Sequence, residues 1–134
     1  MKKILFGIFA SCLLLSCNNH KTYPKAENAF DAGREFINGC LTGDFDKASF
    51  YMLQDSTNQE MLDKIHRSYD QKGAAEKQQF RDASLIIEQE ETLNDSTHII
   101  NYKNSYDQIA HKVKVVLKDG TWQVDFKYTF NGNL

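Results

Sequence analysis

The stretch HKVKVVLKDGTWQVDFKYTF, residues 111–130, decides the architecture. Val113, Val115 and Leu117 alternate with Lys112, Lys114 and Lys118. That period of two puts apolar side chains on one face of a strand and lysines on the other. Asp119-Gly120 follows, a hairpin signal, because both central positions of the favoured two-residue turn need positive φ. Thr121–Phe130 then alternates again. Trp122, Val124, Phe126, Tyr128 and Phe130 fall on one face, and Thr121, Gln123, Asp125, Lys127 and Thr129 on the other. One apolar and one wet face predict an antiparallel sheet covered on a single side.

Two more strands are predicted upstream, Ser84–Leu93 and Thr97–Lys103, parted by the turn residues Asn94-Asp95. Before Phe80 the apolar period is helical. Ala29, Phe30, Gly33, Phe36, Ile37, Cys40 and Leu41 share one stripe, with Gly33 marking a close approach to another element. Gly43 stops that helix and Asp44 caps the next, which turns Phe45, Ala48 and Met52 inward. Thr57 and Glu60 make a capping-box pattern for a third helix. Met61, Leu62, Ile65 and Tyr69 face inward on it, and Gly73 marks its end. Helices followed by strands predict the α+β class, with N-terminal helices on one face of a curved four-stranded antiparallel sheet. The domain is expected over residues 26–134.

Met1-Lys2-Lys3 and the apolar run Ile4–Leu15 have the layout of a secretory signal. The run is shorter than the about 20 residues a membrane-spanning helix needs. It closes on Leu14-Leu15-Ser16-Cys17, which resembles the bacterial lipobox. The resemblance implies cleavage between Ser16 and Cys17, and lipid on the Cys17 sulfur and its new amino group. Residues 1–16 are then a signal peptide, and residues 17–25 a lipidated cysteine and tether. The partner so implied is a membrane, reached through the anchor on Cys17, because multiple acyl chains hold stably where one does not. No acidic cluster follows Cys17, so a periplasm-facing location is expected, at the outer membrane rather than the inner.

At 134 residues one core is expected. The formal charge of −2 becomes −4 once Lys2 and Lys3 are lost. An acidic domain offers neither nucleic acid nor anionic headgroups a basic face. Of three cysteines, Cys12 leaves with the signal and Cys17 is modified, so Cys40 has no partner for an intramolecular disulfide.

Gly43-Asp44-Phe45-Asp46-Lys47-Ala48 after a first helix, and Lys118-Asp119-Gly120-Thr121-Trp122-Gln123-Val124-Asp125 among the last strands, give the chain a resemblance over residues 25–130. It resembles small bacterial lipoproteins with a nuclear-transport-factor-like (cystatin-like) domain, mostly of unknown function. The resemblance implies a curved sheet around a long helix, forming a cone whose mouth can hold a ligand. Some proteins on that fold are isomerases or cyclases and many only bind, so fold alone selects no activity.

An enzyme would need a buried carboxylate or histidine with a tuned pKa. His98 and Tyr102 share the face of Ile100 and are the candidate acid/base pair, although His98 follows a turn and also reads as an exposed strand-end residue. Asp125 falls on the wet face beside Lys127. His20, His66, His98 and His111 stand on separate segments without ligand spacing, and Asp63 with His66 reads as a solvated helical face, so no metal is expected. No phosphate loop, dinucleotide fingerprint or serine elbow is present, and no cofactor is expected. Cys40 reads as a small core side chain. Most aromatics outside the signal occupy inward periodic positions, which fills a core. Tyr102, Tyr106, Trp122 and Tyr128 can instead line a pocket, because their rings carry a polar tip. The loop Asn104–Gln108 is a candidate contact surface for a protein partner. Asp55-Ser56-Thr57 and Asp95-Ser96-Thr97 resemble bacterial O-glycosylation acceptors at Ser56, Thr57, Ser96 and Thr97, and equally suit caps and turns. The expected function is a lipid-anchored envelope module that binds a small apolar ligand or an envelope protein. The rival is a small isomerase- or cyclase-like enzyme.

Overall fold

The computed structural model describes residues 21–131. Four helices precede four strands: α1 Ala29–Thr42, α2 Phe45–Phe50, α3 Ser56–Asp70, α4 Ala74–Asp82, then β1 Leu85–Asn94, β2 Thr97–Asn104, β3 His111–Lys118 and β4 Thr121–Asp125. A 3-10 helix, Phe126–Phe130, follows. The strands form an open antiparallel meander in the order β1-β2-β3-β4. The expected α+β architecture is therefore present.

Alternation in β2, β3 and β4 turns Ile100, Val113, Val115 and Val124 to the same face, where each is fully buried. α1 covers that face with Ala29, Ala32, Phe36 and Ile37. Gly33 marks the closest approach: a Cβ there would strike the terminal methyl of Ile100. Asp119 and Gly120 turn the β3–β4 hairpin with φ of 51° and 72°, the left-handed pair such a turn requires. Phe30 departs from the stripe and is 37% exposed. It stands about 100° around the helix from Ala29, at the edge of the covered arc.

Three elements differ from the sequence expectation. The last strand stops at Asp125, so the predicted alternation through Phe130 fails. Pairing is captured by side chains there. The Lys127 N–H donates to Asn58 Oδ1 at 2.7 Å, and the Thr129 hydroxyl donates to the carbonyl of Lys112 on β3 at 2.6 Å. The backbone coils, and Phe126 packs on Phe36 at 4.8 Å between ring centroids. α3 begins at Ser56, capped by Asp55, whose carboxylate accepts from Asn58 N at 2.9 Å; the Thr57–Glu60 capping box does not form. α4 has no buried residue, hence no apolar stripe to announce it, and Gly73 stands at its N-cap.

The two edges of the sheet differ. Residues 51–53 hydrogen-bond to β4, Val124 N to Tyr51 O at 2.8 Å and Leu53 N to Val124 O at 2.9 Å. Among the described residues β1 has no strand on its outer side; it carries Glu88, Glu90 and Glu91, and is broken by two bulges. Within the stretch expected as a tether, residues 21–25 lie against α2: Tyr23 packs on Phe50 and Tyr51, and the Tyr51 hydroxyl donates to Pro24 O at 2.6 Å.

Candidate ligand-binding cavity

A cavity of about 400 Å³ lies between the C-terminal half of α1, α3, α4, the far end of β2 and the 3-10 helix. Phe36, Ile37 and Phe126 form its buried floor. Cys40, Leu41, Ile65, Tyr69, Phe80 and Tyr102 form its walls. Lys72, Ile109 and Phe130 stand at the mouth, with Ile109 55% and Phe130 47% exposed. Phe36, Phe45, Tyr51, Tyr69 and Phe126 are buried in the core as expected, and Phe36, Tyr69 and Phe126 also border this cavity. The 3-10 helix swings Phe130 away from a sheet position and makes it a cavity wall.

Few polar groups face the apolar lining. Tyr102 stacks obliquely near His111, ring centroids 5.5 Å apart, and both line the cavity. Burial pushes the Tyr102 phenol well above its ordinary pKa, with Cys40 and Asp107 adding to the effect, so it remains a donor. Burial likewise pushes the Cys40 thiol up to about 12. Asp107 is occupied, since its Oδ1 accepts from Asn104 Nδ2 and from Ile109 N, each at 2.9 Å. Buried Asn104 also accepts from Tyr106 N and Asp107 N, at 2.9 and 3.0 Å. The loop expected as a partner surface is therefore tied down as one side of the cavity. Tyr106 is 41% exposed and sits edge-on to Phe80 at 4.9 Å.

His98 and Tyr102 do share a face, but not a site. Tyr102 pairs with His111 and His98 with Val115, four residues apart on each strand, or about 13 Å along the sheet. His98 lies outside the cavity lining, its Nδ1 3.0 Å from Glu90 Oε1 and its ring edge-on to Trp122 at 5.2 Å. Trp122 is therefore at the hairpin end of the sheet. Tyr128 stands on the 3-10 helix, with Lys114 Nζ 5.8 Å from its ring centre. Neither Trp122 nor Tyr128 lines the cavity. Asp125 is bound to Lys127 Nζ at 2.8 Å and accepts from Asn58 Nδ2 at 3.2 Å, which makes it a structural tie.

His66 stacks on Phe45 at 4.2 Å and faces Asp70, while Asp63 accepts from Gln59. Among the described residues no group of three or more His, Cys, Asp and Glu side chains could hold a metal ion. Ser56 and Thr57 at the start of α3 and Ser96 in the β1–β2 turn are exposed; Thr97 is partly buried. Ser16, Cys17 and His20 lie outside the described residues, within which no helix is long and apolar enough to cross a membrane. A second, shallow hollow at the α1–α2 turn is lined by Asp44, whose carboxylate is already engaged by Lys47 N, Tyr23 and Lys21.

The cavity walls contributed by Phe126, Thr129 and Phe130 were hidden in the sequence by an alternation that reads as strand. Those of Asn104 and Asp107 carried only a turn signal. No protein-family model matches the chain, and no curated protein or solved structure shows significant similarity to it.

Proposed function

We propose that the protein is a lipid-anchored cell-envelope module that holds a small apolar ligand in the α1–α3–β2 cavity. One observation carries the reading: a space of about 400 Å³, in the range of ligand sites, is walled by aromatic and aliphatic side chains with few polar groups among them, the Tyr102 phenol being one. Helices beside an open four-stranded antiparallel sheet are in keeping with the nuclear-transport-factor-like cone that the Gly43–Ala48 and Lys118–Asp125 segments suggest. The lipobox-like Leu14–Cys17 supports attachment through Cys17, and the lack of an acidic cluster after it favours a periplasm-facing anchor at the outer membrane. Binding is favoured over isomerase-like chemistry because the candidate pair His98 and Tyr102 is separated, and Asp107, the carboxylate of the cavity, is held by two donors.

A titration tests the cavity. Residues 18–134 are mixed with N-phenyl-1-naphthylamine, whose emission rises on entering an apolar site. Saturable binding is expected, and Cys40→Phe, which fills the space, should weaken it about tenfold or more with the far-ultraviolet spectrum unchanged. No saturation, or indifference to Cys40→Phe, would refute the reading. Trp122 emission is a poor reporter because that ring lies beside His98. The anchor is tested by intact mass of the membrane-extracted protein and its loss in Cys17→Ala.

A further inference from the structure

If Cys17 carries lipid, as proposed above, only Asn18, Asn19 and His20 separate the anchor from Lys21. Four Cα-to-Cα steps reach at most about 14 Å. Lys21 is not at the end of a free arm. Its Nζ lies 3.3 Å from Asp44 Oδ2, Tyr23 Oη donates to Asp44 Oδ1 at 3.0 Å, and Ala26 is buried. The anchored end of the chain is thus pinned where α1 passes into α2.

That junction adjoins the cavity. Asp44 follows Gly43, which has a φ of 77° and whose backbone lies directly against the Tyr69 ring. Tyr69 lines the cavity, as does Cys40, only about 6 Å back along the helix axis from Asp44. At the mouth Ile109 and Phe130 are largely exposed, with Tyr106 beside them on Phe80. The other end of the sheet, at the hairpin turns near residues 95 and 119, lies far from this tether. With a mature charge of −4 the domain as a whole is not drawn to anionic headgroups, and the short tether and apolar contact are the features that favour one orientation.

We propose that the cavity end is the membrane-facing surface of the anchored protein, with Tyr106, Ile109 and Phe130 seated in the lipid interface and the cavity opening onto it. The partner is the phospholipid bilayer itself. Aromatic rings with a polar tip suit that layer, and aliphatic or phenyl side chains gain by leaving water there.

The test uses the full lipidated chain in nanodiscs of phosphatidylethanolamine and phosphatidylglycerol, with and without a gadolinium-chelating lipid. Backbone amide signals of Ile109 and Phe130 should weaken several-fold with the paramagnetic lipid, while those of Leu93 and Gly120 stay nearly unchanged. Uniform weakening, or weakening centred on Leu93 and Gly120, overturns the proposal. The double variant Ile109→Asp, Phe130→Asp should lose the contrast between the two ends; retention of it would remove these side chains from the surface. Intact mass is measured on the same sample. An unmodified Cys17 defeats both the anchor and this orientation, whereas a lipidated chain with the wrong pattern defeats the orientation alone.

Discussion

The Tyr69 hydroxyl is buried without a hydrogen-bond partner, alone in this among the described side chains. Its ring is held by packing, edge-on to Phe45 at 5.6 Å and against Gly43. A buried polar group left unpaired costs about 1–3 kcal/mol. Tyr69→Phe is therefore expected to keep or raise stability, by up to about 1 kcal/mol, in urea unfolding. A loss larger than that would mean the hydroxyl has a role the packing does not explain. Cys40 offers a second check. With its thiol pushed up to about 12 by burial, little thiolate exists near neutrality. Maleimide should label it at pH 7.5 far more slowly in folded than in urea-unfolded protein, and equal rates would contradict the buried placement.

At the scale of elements, Asn58 joins the start of α3 to the end of β4. Fully buried, it donates to Asp55 and Asp125 and accepts from Lys127 N. Asn58→Ala strands several of those groups at once and should cost about 2–3 kcal/mol, with loss of amide protection at Lys127; a cost under about 0.5 kcal/mol would deny the link. The two helix caps titrate with the fold. Asn58 N–H, with Lys127 and the Asn58 side chain, draws the Asp55 carboxyl below its ordinary pKa. For Asp44 burial pushes upward, but Lys47 N–H, Tyr23 and Lys21 outweigh it and the shift is downward. Folded values below unfolded ones stabilise the protein above the ordinary carboxylate pKa of about 3.9, and this is lost as pH falls through the folded values. Urea midpoints should decline from pH 5 to pH 3, less steeply in Asp55→Asn; equal slopes would contradict the Asp55 assignment.

The same elements show how far sequence carries. β3, its Asp-Gly turn and the inward valines were readable because each signal is local. Residues 126–130 were not, since their alternation is intact and the group that ends the strand, Asn58, comes from a helix 67 residues earlier in the chain than Asp125. Strand parity put His98 and Tyr102 on one face, yet parity says nothing of distance along the strand. The cavity was hidden for a related reason: its walls come from α1, α3, α4, a loop and the 3-10 helix, and only their packing leaves the space.

For the whole molecule, the helices cover one face of an open meander while its two edges meet different fates. Residues 51–53 bond to β4, whereas no described residue pairs with the outer side of β1, which carries glutamates and bulges. An uncovered strand edge is a template for another chain, and charge is a common guard against that. The acidic side chains of β1 are placed to keep that edge from pairing with another copy. Glu88→Val with Glu91→Val should leave the monomer folded yet make it self-associate with rising concentration, as sedimentation velocity would show. A variant that stays monomeric would mean that the bulges alone keep neighbouring copies from stacking into shared sheets.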